Sequence, residues 1–188
     1  MTFSYSRDPA KPARLAASAG VGARFGTPRE AVEGAETVLL AVPWPSVDDV
    51  LRQAGPLIGQ VLIDCTNPRV EEEVPELGGG LSGSEVIARK VPEARVVKAF
   101  NTVPWEVLRL VGRGPPGLAP DLLCGNDVEA KEEVAQLAGH LNFRPVDAGA
   151  LVVARELEAF ALLIAHLAYG REDGPDLTYR FGRYGGRP

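Results

Sequence analysis

The sequence is poor in the residues that build disulfide scaffolds and membrane spans. Its 188 residues include two cysteines, Cys65 and Cys124, neither of them in a CxxC pair, which excludes a disulfide framework. The longest apolar stretch, Leu157–Tyr169, is too short to cross a bilayer. The N-terminus lacks the basic and apolar segments of a signal peptide. We therefore expect a cytoplasmic protein with reduced thiols and no membrane partner.

Histidine is equally scarce. His140 and His166 are the only two, and they lie in different helical patterns, without the spacing of a metal site or of a nucleophile–base pair. The segment Gly20–Gly26 has the glycines of a dinucleotide-binding fingerprint, but it follows a helical pattern where a strand is required. We interpret it as a helix C-cap and turn. We predict no metal ligands and no catalytic acid or base.

The charge balance is acidic. Lys and Arg number 20 and Asp and Glu 25, a formal net charge of −5, which argues against nucleic acid or an anionic membrane as the main partner. Apolar residues make up 45% and charged residues 24%, as in an ordinary globular protein. The length suits one domain spanning residues 1–188.

Short apolar runs alternate with helical patterns along the chain. Most of the runs are apolar on both faces, which predicts parallel strands covered by helices on both sides. We predict an α/β fold with a Rossmann-like, doubly wound parallel sheet and right-handed crossovers. The predicted strands are Thr2–Tyr5, Thr37–Val42, Val61–Thr66, Arg95–Phe100, Asp121–Cys124 and Arg144–Asp147, with a further strand of about three residues before Thr27.

Helical patterns occupy the intervening segments. A long C-terminal helix within residues 149–170 closes the domain or serves oligomerisation, and residues 171–188 form a tail. The segment Val70–Gly83, which contains three consecutive glycines, is predicted to be a loop. The predicted helices are Pro9–Ala19 with Asp8 as N-cap, a helix behind the Thr27 capping box, Ser46–Ala54, Ser84–Lys90, Val128–Leu141 and Leu151–Tyr169.

Polar or turn-forming residues follow four of the strands. In a doubly wound sheet, ligands bind beyond the carboxyl ends of the strands. These residues should therefore meet at one edge and form the binding site. They are Ser6-Arg7, Pro43-Trp44-Pro45, Thr66-Asn67-Pro68 and Asn101-Thr102-Val103-Pro104.

Ser6 and Arg7 end the first short strand. In dinucleotide-binding folds an Arg at this kind of strand end accommodates the 2′-phosphate of NADP. Together with Lys11, the hydroxyl and guanidinium groups would form a phosphate clamp. The spacing alone favours a solvated loop near a chain terminus over such a clamp, because short motifs often match by chance.

The segments at the strand ends, taken in order, resemble one family. It is the family of NADP oxidoreductases that reduce the deazaflavin coenzyme factor 420, together with relatives that include cytoplasmic domains of membrane ferric reductases. The resemblance extends from Ser6 to about Gly170. It is carried by Ser6–Lys11, Val38–Pro43, Ile63–Pro68, Gly83-Ser84, Val97–Thr102, Gly125–Asp127, Asp147–Leu151 and Ala154–Glu158.

The resemblance implies a Rossmann domain that binds NADP(H) and transfers a hydride to a deazaflavin or flavin-like acceptor. It implies that Ser6, Arg7 and Lys11 hold the 2′-phosphate. Hydride transfer between two cofactors needs orientation more than acid–base groups. The remaining implied cofactor-binding residues are Val42, Pro43 and Trp44 on the nicotinamide–ribose side, Asn67 and Pro68 in the crevice, and Ala99, Phe100 and Asn101 at the acceptor site.

The sequence departs from the family at its N-terminus. The family has a strand, a glycine-rich turn and a helix before the Ser-Arg motif, whereas Arg7 has six residues before it. We therefore expect an N-terminally truncated sheet, short of roughly 25 to 30 residues by the size of a βαβ unit. Weak or absent NADP binding would follow, because the pyrophosphate would lack its backbone donors. The alternative function is a non-catalytic oligomerisation or partner-binding module.

An unpaired edge is expected at the strand Thr37–Val42. Three arrangements would cover it. Thr2–Tyr5 could shift in to pair with it, a strand from another chain could fill the gap, or two copies could pair edge to edge. Together with the apolar C-terminal helix, this edge predicts a homodimer.

Overall fold

The predicted alternation of strands and helices is present in a computed structural model of the chain. The structure describes residues 1–68, 80–114, 117, 119–170, 174–175 and 177–181, so most of the predicted loop Val70–Gly83 and much of the tail lie outside the described residues. The described strands are β1 (Thr2–Phe3), β2 (Arg24–Phe25), β3 (Thr37–Leu40), β4 (Val61–Asp64), β5 (Arg95–Lys98), β6 (Pro120–Gly125) and β7 (Arg144–Asp147).

The described helices follow the predicted ones with one addition. The predicted C-terminal helix begins with a 3-10 turn, Leu151–Val153, and another 3-10 turn, Trp44–Ser46, precedes α3. Helix α5 was not predicted. The helices are α1 (Lys11–Ala19), α2 (Pro28–Val32), α3 (Val47–Ala54), α4 (Gly83–Lys90), α5 (Trp105–Val111), α6 (Val128–His140) and α7 (Ala154–Tyr169).

Local signals at the helix ends explain where several elements begin and stop. The Thr27 hydroxyl accepts a hydrogen bond from the Glu30 amide, and the Glu30 carboxylate accepts one from the Thr27 amide, so the predicted capping box is confirmed. Gly20 ends α1 with φ +88°, which a glycine adopts without strain. Asp8 is displaced from the predicted N-cap position, because α1 starts at Lys11 behind Ala10.

The main sheet has five strands in the order β3-β4-β5-β6-β7. Strands β3, β4 and β5 are parallel, as predicted, and the α/β, Rossmann-like fold class is confirmed. Strand β6, however, is antiparallel to β5 and parallel to β7. Its six residues are all buried, and burial on both faces does not encode strand direction, which is why the prediction of a wholly parallel sheet was wrong here.

Helices cover both faces of this sheet. Along β4, alternate residues point to opposite faces, as the pleat requires. Leu62 packs into a core with Ile87 of α4, whereas Val61 packs with Val134 of α6. The sheet is therefore rigidly held where β4 and β5 end. Among the described residues, no helix is long and apolar enough to cross a membrane.

Strands β1 and β2 form a separate two-stranded parallel sheet. Of the three arrangements considered for the β3 edge, the shift of Thr2–Tyr5 does not occur, because β1 pairs with β2 instead. A groove of about 620 Å³ lies between β1 and β3, and Leu39 on β3 is 58% exposed. The Tyr5 hydroxyl bridges the two parts by donating to the Asp49 carboxylate at 2.8 Å.

Candidate functional site

A cleft of about 710 Å³ opens at the carboxyl ends of β3, β4 and β5. This volume is in the range of small-molecule and cofactor sites. Most of its wall is apolar, with Leu108 of α5, and Leu137 and Leu141 at the end of α6, on one side. Sequence reasoning missed these leucines for two reasons. Helix α5 was not predicted, and the sequence does not show that the end of α6 packs beside the cleft.

Seven of the predicted site residues, including Arg7, come together in this cleft. Apart from Arg7, three follow β3 and the others follow β4 and β5, so the residues after three parallel strands do meet at one edge. Trp44 is largely buried, 9% exposed, while Pro43 is exposed at the rim. The residues are Arg7, Val42, Pro43, Trp44, Asn67, Phe100 and Asn101.

Ser6 and Lys11 line the neighbouring groove between β1 and β3. The groove and the cleft are neighbours, because Leu39 and Val42 line both. The Ser6 hydroxyl accepts the Asp8 amide at 3.2 Å, which fixes the turn that carries Arg7. The three predicted phosphate-binding residues are thus divided between two adjacent cavities, with Arg7 in the cleft and Ser6 and Lys11 in the groove.

Pro68 and Ala99 lie behind the cleft wall. Ala99 is completely buried in the core with Val97 and Leu123. Pro68 is buried beside Gly83, where an added Cβ would lie 2.8 Å from the Trp44 ring and 3.0 Å from the Pro68 ring. Gly83 therefore lets the start of α4 approach the site closely, and both predicted residues support the wall without lining it.

Two asparagines connect the ends of β4 and β5. The Asn67 side-chain amide donates to the Asn101 carbonyl, and the Asn101 side-chain amide donates to the Asn67 side-chain oxygen, both at 2.9 Å. Asn101 also donates to the Leu157 carbonyl of α7 at 3.3 Å. This reciprocal pair fixes the floor of the cleft.

Phe100 stands in a left-handed backbone conformation with φ +61°, which is unusual for a bulky residue. Its amide donates to Asp121 Oδ1 at 2.8 Å, and its ring lies edge-on to Phe143 at a centroid distance of 5.8 Å. Asp121 comes from the start of β6 and reaches this edge because β6 is antiparallel. Burial raises the pKa of the Asp121 carboxyl to about 7, although the Phe100 hydrogen bond opposes the rise.

A fully buried ion cluster lies beneath the same floor. Lys98 Nζ donates to Asp64 Oδ2 at 2.9 Å and to Glu158 Oε1 at 3.0 Å. It also donates to the Thr66 carbonyl at 2.5 Å. Burial opposes the ammonium, but the two carboxylates outweigh it and raise the pKa of Lys98. The cluster ties the segment after β4 to β5 and α7.

Two further donors, one for each carboxylate, complete the cluster. Glu158 Oε2 accepts the Gly83 amide at 2.9 Å at the start of α4, where the helix dipole favours negative charge. The Ser84 hydroxyl donates to Asp64 Oδ2 at 2.6 Å. Sequence reasoning missed this cluster, although a lysine inside the apolar run Arg95–Phe100 was a visible signal.

The two cysteines are not activated nucleophiles. Burial raises the pKa of the Cys65 thiol, which lines the cleft, and burial raises the pKa of Cys124 to about 12. Both thiols therefore stay protonated at neutral pH. The cleft offers shape, amide groups and apolar surface in place of reactive side chains.

Comparison with known proteins gives a consistent group of relatives. Residues 1–68 match the family described as NADP oxidoreductase, coenzyme F420-dependent. The metalloreductase STEAP3 of Rattus norvegicus is 34% identical over 157 residues, which are 84% of this chain and 30% of that protein. The F420-dependent NADP reductase of Methanocaldococcus jannaschii is 28% identical over 146 residues, 74% of this chain and 65% of the relative.

A solved structure shares nearly the whole fold. It is the crystal structure of an Arthrobacter protein for which an F420-dependent NADP-reductase activity is proposed, with 28% identity and a TM-score of 0.79. The match covers 95% of this chain and 86% of that one. Against the curated relatives the chain is shorter, since it spans under a third of the metalloreductase and about two thirds of the archaeal reductase.

Proposed function

Because the chain belongs to the coenzyme F420-dependent NADP oxidoreductase family, we propose that its cleft binds NADP(H) for hydride transfer to a deazaflavin or flavin-like acceptor. The observation that carries the proposal is the convergence of Arg7, Trp44 and Asn101 on one cavity. These residues come from three separate parts of the chain, and they offer a cation, an aromatic ring and an amide to one ligand.

The residues present fit such a cofactor. Arg7 is exposed and forms no ion pair with another described residue, so its guanidinium is available to a phosphate group. Ser6 and Lys11 extend this polar end into the adjoining groove. At the other end, Val42, Trp44 and Phe100 offer apolar surface to a planar ring, and the amide pair Asn67–Asn101 lies at its edge.

The chain's own contribution is orientation and exclusion of water. When bound, the reduced nicotinamide supplies a hydride, and no side chain has to move a proton for that transfer. Trp44 is held by Gly83 and Pro68 behind it, and the Asn67–Asn101 bonds hold the floor. Leu108, Leu137 and Leu141 form an exposed apolar wall, which a bound ring would cover and so shield from water.

The 2′-phosphate contact is tested by Arg7→Ala. Loss of a charge-assisted contact should raise the Kd for NADPH about tenfold or more and leave the Kd for NADH unchanged. Calorimetry with both nucleotides measures this, with Arg24→Ala on β2 as the control. Equal weakening for both nucleotides, or none, would remove Arg7 from the proposed site. A stopped-flow assay with NADPH and a deazaflavin or a flavin identifies the acceptor.

A second function is favoured by the exposed edge of β3. Leu39 is 58% exposed beside the groove, and a hydrophobic strand edge of this kind promotes association. Under this function the chain is a non-catalytic oligomerisation or partner-binding module, as a homodimer, with weak NADPH binding. Light scattering on wild type and Leu39→Lys decides the matter. A dimer that becomes monomeric in Leu39→Lys supports edge pairing, and a monomeric wild type excludes it.

A further inference from the structure

Asp121 lies behind the cleft wall, and the proposed hydride transfer does not use it. Its side chain is completely buried and lies directly behind the turn that carries Phe100 and Asn101. Oδ1 accepts the Phe100 amide at 2.8 Å. Oδ2 is buried without a hydrogen-bond partner among the described residues. Buried carboxyl oxygens are normally satisfied, so an exception at the edge of a binding cleft points to function.

The turn it supports is held in an uncommon shape. The left-handed conformation of Phe100 persists only when its surroundings fix it. The ring is held by Phe143 on one side, and the backbone is held by Asp121. Two residues further on, the Thr102 hydroxyl shares a hydrogen bond of 2.6 Å with Tyr179. Of these contacts, the one from Asp121 is the contact that changes with a proton.

We propose that Asp121 is a positioning residue that holds Phe100 in the cleft, and that loss or gain of its proton tightens or loosens the turn Phe100–Thr102. The ionised carboxylate accepts the Phe100 amide more strongly than the neutral acid does. The turn is therefore held more tightly when Asp121 is ionised. The consequence for ligand binding rests on the proposed function, whereas the response of the turn itself does not.

The groups around Asp121 include no free cation among the described residues, so burial keeps the pKa of its carboxyl at about 7. Cys65, after β4, and Tyr179, from the tail, lie close enough for the Asp121 charge to raise their pKa values, and both are uncharged at neutral pH. On β7, Pro145 pairs with Asp121, and its neighbour Arg144 is exposed. The ammonium of Lys98 on β5 is already bound by the ion cluster. Helix α6 presents the apolar side chains Ala130, Val134 and Ala138 to its side of the sheet and the adjoining core.

The test is a pH titration of backbone amides by ¹H–¹⁵N NMR without ligand. In wild type, the Phe100, Asn101 and Thr102 resonances should shift together between pH 5.5 and 8.5 with a midpoint of about 7. Asp121→Asn, which keeps an acceptor oxygen, should abolish this step. Asp147→Asn is the matched control, because Asp147 is an exposed carboxylate on the neighbouring strand, and it should leave the step unchanged.

Absence of the step in wild type, or its persistence in Asp121→Asn, overturns the proposal. The wild-type titration needs no variant, so it decides the matter even if Asp121→Asn fails to fold. In the second arm, the Kd for NADPH is measured at pH 6 and pH 8. From pH 6 to pH 8, the affinity of wild type for NADPH should rise about threefold more than the affinity of Asp121→Asn. The titration of the ligand's phosphate affects both proteins equally and cancels in this comparison.

The two arms separate the two proposals. If NADPH does not bind either protein, the proposed function fails, and the amide titration still judges Asp121. If NADPH binds with the same pH dependence in wild type and Asp121→Asn, the role of Asp121 in positioning the cleft is overturned while the proposed function stands.

Discussion

Asp64 and Asp121 are both completely buried at the same edge of the sheet, yet their surroundings are opposite. Asp64 accepts hydrogen bonds from Lys98, Ser84 and Thr66. Asp121 accepts one backbone amide, and its second oxygen has no partner among the described residues. The donors supplied by neighbouring elements, and not burial alone, therefore decide whether a carboxyl group in a core has both of its oxygens hydrogen-bonded or one left unsatisfied.

The strongest way to break this contrast is Lys98→Met, which gives Asp64 an uncompensated setting like that of Asp121. Removing one partner of a buried ion pair leaves unpaired charge, so the free energy of unfolding should fall by about 3–5 kcal/mol. Urea unfolding at pH 7 measures this. Lys90→Met is the control, because Lys90 pairs with Asp48 at the surface at 3.2 Å and should change stability by less than about 1 kcal/mol. Similar losses in both variants would refute the buried cluster's role.

Asp121→Asn removes the other side of the comparison. The folded-state pKa of Asp121 is raised from 3.8 to about 7, so its burial costs nothing below pH 3.8 and progressively more as pH rises to 7. The full penalty is roughly 4 kcal/mol, at about 1.4 kcal/mol for each pKa unit. Wild type should therefore lose stability relative to Asp121→Asn as the pH rises from about 4 to about 7. Parallel stability curves over that interval would contradict the prediction.

Ser84→Ala removes one of the hydrogen bonds that distinguish Asp64 from Asp121. The Ser84 hydroxyl donates to Asp64 Oδ2 at 2.6 Å, and a hydrogen bond to a charged group contributes about 1.5–3 kcal/mol. We expect a loss of that size in thermal or urea unfolding. Ser46→Ala is a matched control, since Ser46 is also buried but its hydroxyl bonds no other described residue. A loss equal to that of Ser46→Ala would show that the Asp64 donors are redundant.

Much of the fold could be predicted from sequence because its signals are local. The apolar runs predicted the central strands in order, the strand before Thr27 was predicted from its place between a helix and a capping box, and Arg144–Asp147 was predicted with its observed bounds. Helix α5 was missed because its seven residues have no side-chain N-cap, whereas the shorter α2 is marked by a capping box. The direction of β6 was missed because both of its faces are buried. Neither feature leaves a periodic signal in the sequence.

The candidate site divides along the same line. Residues that directly follow parallel strands, such as Pro43 and Asn101, could be predicted from the geometry of the sheet. Residues that reach the site through tertiary structure could not. Glu158 joins Lys98 across 60 positions, and Asp121 arrives through the reversed strand. Their partners are set by packing, which a single sequence does not display.

The division of the strands into two sheets also bears on how the molecule opens. The unit β1–α1–β2 shares no strand pairing with the five-stranded sheet, so it can unfold locally as its own cooperative segment. Arg7 belongs to this segment, whereas Trp44 and Asn101 belong to the larger one. A ligand that contacts both parts would bind only when the unit β1–α1–β2 is docked on the five-stranded sheet. Part of the binding free energy would then stabilise this docking.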